Sequence, residues 1–118
     1  MSHNRVKGGK LDDLRQLTRE GVKLIEADKP GTLVQLAYVN EEGTEVTIVH
    51  LFPNADAMDL HMKGASERAK RAYQFIESDR FEIYGTPSHG VMEMMKKIAE
   101  SRAVPSVNPQ YLGGFIRR

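Results

Sequence analysis

His61 and His50 are the residues whose type and placement speak most directly of chemistry. His61 falls on or beside an apolar stripe in which Met58, Met62, Ala65, Ala69 and Tyr73 recur at helical spacing. An imidazole titrates near neutrality and can take a proton from a phenol or quinol, so a general base is one reading of His61. The other is a half-buried histidine that bonds a backbone carbonyl and packs with its ring. His50 alternates with Val46, Ile48 and Phe52 on one face of a β-type run. If that face meets the helices, His50 approaches His61; if it meets a partner's sheet, His50 is an interface residue. Tyr38 and Tyr84, also on β-type runs, either offer phenolic donors to a substrate oxygen or fill volume with the hydroxyl at the rim. Met58 and Met62 either fill the core or give an adaptable lining for a flat ligand, and Met92 and Met95 share that choice.

Other chemistries find no support. The chain has no cysteine, which excludes disulfides, cysteine-ligated zinc, iron–sulfur clusters and a thiol nucleophile. No metal site is expected. His50 and His61 lie eleven residues apart on different elements, and His89 with Glu93 supplies only one i,i+4 pair at a helix start. Gly8-Gly9 and Gly113-Gly114 lack the context of a phosphate-binding loop. Ser66, Ser78 and Ser88 sit in no nucleophile elbow. Arg68, Lys70 and Arg71 read as a solvated helix face. The net charge is 17 − 16 = +1, so no global field points to nucleic acid. The 118 residues suit one domain over 1–118. There is no apolar leader segment and no run long enough to span a membrane, so a cytoplasmic location is the expectation.

The elements that must position these residues follow from periodicity. Residues 10–28 carry Leu11, Leu14, Leu17, Val22 and Ile25 at helical spacing, and Pro30-Gly31 stops that helix. Residues 32–39 and 44–52 are β-rich runs joined by Asn40-Glu41-Glu42-Gly43, a hairpin. Asn54 is a candidate N-cap for a helix running to about Ile76. Residues 80–85 form a short strand. Thr86-Pro87 reads as cap and first residue of a third helix, about 88–102. A Pro/Ser/Asn loop at 103–109 precedes Tyr111–Ile116, which suits a last strand. With a first strand from residues 2–7, the order is a ferredoxin-like βαββαβ unit of α+β class, with an added C-terminal helix and strand.

Several of these stretches resemble the antibiotic biosynthesis monooxygenase-like family. They are Pro30-Gly31-Thr32-Leu33, the hairpin end Glu45-Val46-Thr47-Ile48-Val49-His50 and the helix segment Ala57-Met58-Asp59-Leu60-His61. Phe81-Glu82-Ile83-Tyr84-Gly85-Thr86-Pro87-Ser88 and Leu112-Gly113-Gly114-Phe115 resemble a bacterial subgroup of it. The resemblance covers about residues 5–118. It implies a dimeric α+β barrel in which two protomers pack sheet against sheet, and a pocket between sheet and helices for a small hydrophobic or aromatic molecule. His61 matches a histidine common in the family, some of whose enzymes oxygenate substrates without metal or flavin. The expected function is therefore a cofactor-independent monooxygenase acting on a small aromatic or quinol-type molecule. The alternative is a non-catalytic dimeric barrel that binds a hydrophobic small molecule. Members usually begin with a clear apolar strand, whereas Met1–Lys7 holds one β-branched residue, Val6, so a short first strand is expected. Haem-degrading relatives rely on a tryptophan, which this chain lacks.

Overall fold

The computed structural model describes residues 1–98 and 105–117. The element order is β1 (Ser2–Val6), α1 (Leu11–Asp28), β2 (Val34–Val39), β3 (Glu45–Leu51), α2 (Ala55–Met62), α3 (Ala65–Ala72), β4 (Ile76–Tyr84), α4 (His89–Ile98) and β5 (Pro105–Asn108). One five-stranded sheet runs β2-β3-β1-β4-β5. The first four strands pair antiparallel and β5 adds parallel to β4. This is the ferredoxin-like α+β arrangement with an added helix and strand.

Register divides the sheet into two faces, because directly paired residues point the same way and neighbours alternate. Val46, Ile48 and His50 of β3 share a face with Ser2 and Asn4 of β1 and with Ile76, Ser78 and Phe81 of β4. A bulge between His3 and Asn4 absorbs the one-residue slip that keeps this alignment. This face carries the core: Leu14 from α1 packs with Val46 and Ile76, flanked by Val6, Ala72, Tyr73 and Phe75. The opposite face presents Val34, Leu36 and Tyr38 of β2 beside Thr47, Val49 and Leu51 of β3. No helix described here covers it, and Leu36 and Tyr38 are exposed.

Several elements depart from the periodicity. Residues 54–76 do not form one helix. Gly64 takes φ +81°, a left-handed conformation that ends α2 and starts α3. Asn54 does cap α2, its Oδ1 accepting from the Ala57 amide at 2.9 Å. The cap of α4 is Ser88, whose Oγ accepts from the Val91 amide at 3.1 Å, two residues beyond Thr86. β4 starts at Ile76, four residues before the expected strand, because β1 pairs along it from Val6 to Ser2. The last strand is Pro105–Asn108, read from sequence as loop, and Tyr111–Ile116 is not a strand of this sheet. β4 offers a free edge there, and a proline at the first position of an edge strand loses no ladder bond. Residues 109–117 carry no regular structure, and Tyr111, Leu112, Phe115 and Ile116 stand in solvent. The part of the third helix expected beyond Ile98 lies outside the described residues.

Candidate functional site

A cavity of about 670 Å³ opens between the helix-facing side of the sheet and α2, α3 and α4. That lies within the range of small-molecule sites, roughly 300–1,000 Å³. Its walls combine Ile48, Phe52, Met58, Met62, Ala69 and Met95 with a few polar groups: Asn4, His50, His61, Arg68, Tyr73 and Ser78.

Each polar group arrives by a local device. β3 points His50 inward by alternation from Val46. On α2, Met58, His61 and Met62 share the inward stripe, since positions three and four apart lie on one helix face. Gly31 allows the turn before β2 to press on this helix; a Cβ at Gly31 would sit 3.1 Å from that of Ala57. The close approach brings Thr32 Oγ1 within 2.7 Å of His61 Nδ1. The turn is held from the other side by Lys29, whose Nζ donates to the Leu60 carbonyl at 2.9 Å. Beyond Gly64, α3 sends the Arg68 guanidinium back to the end of α2. Nη1 donates to the Lys63 carbonyl at 2.9 Å and Nη2 to the His61 carbonyl at 2.5 Å. These are the carbonyls a helix C-terminus leaves without partners.

The two imidazoles meet edge to face, with ring centroids 4.6 Å apart, and Phe52 closes the group at 5.2 Å from His61. Gln35 Oε1 lies 3.1 Å from His50 Nε2 and, as an acceptor, places the proton of the neutral ring on that nitrogen. His61 is 6% exposed. Its Nε2 has no protein partner among the described residues, and no side-chain nitrogen or oxygen there is both buried and unpartnered. Nε2 therefore opens onto the cavity. Burial drives the His50 value from 6.5 to about 3, helped by His61 and the Arg68 charge. Burial drives that of His61 to about 4, helped by Arg68 and Lys29. Both rings are neutral at pH 7. On the β4 side, Tyr73 and Ser78 hydroxyls bond each other at 2.7 Å.

Of the residues singled out from sequence, His61, His50, Met58 and Met62 come together on this wall. Tyr38 does not. It pairs with Thr47 on the opposite face of the sheet and is 63% exposed, so its expected place in the lining is corrected by the register. Tyr84 borders the cavity mouth from the end of β4, but its hydroxyl donates to Glu82 Oε2 at 2.6 Å on the other face, where His3 also bonds Glu82. Arg68 is a correction in the opposite sense. It lies half-buried in the wall rather than on a solvated helix face. Its spacing of three from Ala65 and four from Ala72, both on the packed side of α3, carried that signal. Phe52 was placed on the His50 face by the same alternation, whereas Thr32 had no comparable signal beyond adjacency to Gly31.

No family model matches the chain, and no curated protein sequence matches it significantly. Among solved structures, the crystal structure of MupZ from Pseudomonas fluorescens is similar in fold, with a TM-score of 0.74 and 16% sequence identity. The match covers 98% of this chain and 90% of that one. The resemblance at this identity is one of fold: an α+β architecture with a mixed five-stranded sheet.

Proposed function

We propose that the cavity beside His61 receives a small flat apolar or aromatic molecule and that His61 Nε2 is the proton acceptor toward it, in a cofactor-independent monooxygenase reaction. The observation that carries this reading is a neutral imidazole, held through Nδ1 by Thr32, whose second nitrogen opens onto an apolar space large enough for such a ligand. With Nδ1–H donated to Thr32 Oγ1, Nε2 keeps its lone pair for the substrate. A phenol or quinol that gives up its hydroxyl proton becomes an electron donor. The anion passes one electron to O₂, and the radical pair combines at a ring carbon bearing hydrogen. The O–O bond of the resulting peroxide then breaks as the ring proton leaves. One oxygen stays as a quinone carbonyl and the other departs as water, so phenol plus O₂ gives quinone plus water.

The same reading includes a homodimer. Among the described residues, no helix covers the sheet face that exposes Leu36 and Tyr38, and the tail leaves Tyr111, Leu112, Phe115 and Ile116 in solvent; exposed apolar groups of this kind favour a partner. A second copy packed sheet to sheet, with Tyr111–Ile116 pairing across the pair, would cover both and bury more than ~1,200 Å².

A second reading, binding without catalysis, is favoured by one observation. An imidazole held at about 4 is a weak base toward a phenol with a value of about 10. Oxygen uptake with hydroxyanthrones and alkylhydroquinones separates the two. Catalysis predicts uptake that His61→Ala abolishes while the fold is retained. Uptake equal in the variant refutes the base role of His61, and tight binding with no uptake from any of these compounds leaves the binding protein.

A further inference from the structure

From the surroundings of Arg68 we infer that the cavity selects molecules bearing an anionic headgroup, a carboxylate or its equivalent, on an apolar or aromatic body. Arg68 is then the residue that binds the headgroup. This rests on the cavity being a ligand site and is independent of whether oxidation follows.

A guanidinium carries five N–H donors in a rigid plane. Two backbone carbonyls at the end of α2 take one donor from each terminal nitrogen and fix that plane. The remaining donors have no partner among the described residues, and Arg68 is part of the cavity wall. Among the described residues no carboxylate lies within 4.0 Å of it, while Arg5, Lys70, Arg80 and Lys96 each have one. Glu82 is the one acid among the described lining residues, and it is engaged on the far face of the sheet with His3, Tyr84 and Arg80. The two imidazoles are neutral and supply no compensating charge. A fixed, half-buried cation with free donors and no counter-ion is the arrangement that a ligand carboxylate completes, and charge-assisted bonds to guanidinium are the strong ones.

The anion would also act on His61. Arg68 and Lys29 both depress its proton affinity. A bound carboxylate favours the imidazolium instead and brings the ring back toward a useful base. The headgroup would thus repair the weakness that otherwise favours binding alone.

The test compares 2-naphthoate with 2-naphthalenemethanol, one aromatic body with and without the charge, by calorimetric titration of the whole chain at pH 7. The wild type should bind naphthoate about ten- to a hundred-fold more tightly, the worth of one or two charge-assisted bonds. Arg68→Met should erase that preference, weakening naphthoate far more than the alcohol. Should loss of the α2 cap unfold this variant, Arg68→Lys keeps the charge without the fork and should retain part of the preference. Equal affinities in the wild type would overturn anion selection and leave the cavity as a neutral-ligand site. An undiminished preference in Arg68→Met would assign the headgroup to another cation. Binding of neither probe would overturn both this inference and the reading of the cavity.

Discussion

Acidification from pH 7 to pH 5 should destabilise this protein through His50 and His61, and by an amount that can be worked out. Both rings sit far below their ordinary value of 6.5, at about 3 and about 4. In the unfolded chain they take up protons as the pH falls through 6.5, while in the fold they stay neutral until about 4. Stability is therefore complete above 6.5 and is lost between 6.5 and about 4. A ring that remains neutral in the fold at pH 5 loses about 2 kcal/mol over this interval, however far below 5 its folded value lies. Two rings give about 4 kcal/mol, reduced to about 3 by water entering through the cavity mouth. That is a large share of the roughly 5–15 kcal/mol a domain possesses. Glu82, held below the usual carboxylate range by the Tyr84 hydroxyl and His3, loses its contribution only at lower pH and stays outside the window. Urea unfolding at fixed protein concentration and pH 7, 6 and 5 measures the loss. The variant His50→Gln/His61→Gln should lack most of it, whatever the other groups do. Equal pH dependence in the two proteins, or His50 and His61 resonances titrating near 6.5, would refute the burial argument.

Three further outcomes follow from the same contacts. Thr32→Val removes the partner of a buried ring nitrogen and should cost about 1–3 kcal/mol in urea unfolding, with ¹⁵N shifts of His61 reporting a changed tautomer balance. Gly64→Ala forces a Cβ into a left-handed position 3.3 Å from Arg68 Nη1. It should cost about 1–2 kcal/mol in the same assay and weaken any naphthoate preference, because the joint that aims Arg68 shifts. If the proposed homodimer forms, removing residues 109–118 should lower the sedimentation coefficient at micromolar concentration by weakening it, and an unchanged coefficient would separate the tail from assembly.

The wall of the cavity explains what could and could not be read from the sequence. The alternation Val46–Ile48–His50–Phe52 and the α2 stripe were legible because each follows one element's period, and their meeting required only that the hairpin face the helix. β1 was faint for a physical reason. It is the central strand, yet of its inward residues only Val6 reaches the packed core, while Ser2 and Asn4 border the cavity. Asn4 is buried and donates to the Val46 carbonyl at 3.5 Å, so polarity replaces the expected apolar signal. Tyr38 was misplaced because a strand apolar on both faces gives no phase. The break at Gly64 was hidden because one glycine within a helical pattern does not declare its φ, and with the break went the return of Arg68 to the cavity. At the C-terminus, local preference favoured Tyr111–Ile116, while pairing with β4 selected Pro105–Asn108.

The central claim is that the His61 cavity is the ligand site and its imidazole the contact for an acidic hydroxyl. The most direct measurement is an NMR titration of the whole chain with 2-naphthol at pH 7, following side-chain methyl, aromatic-ring and imidazole resonances. The account predicts that Met58, Met62, His50 and His61 shift together and saturate at one ligand per chain, with the largest ¹⁵N change at His61 Nε2. Shifts confined to Leu36, Tyr38 and Leu51 on the opposite face of the sheet, with His61 unmoved, would contradict it.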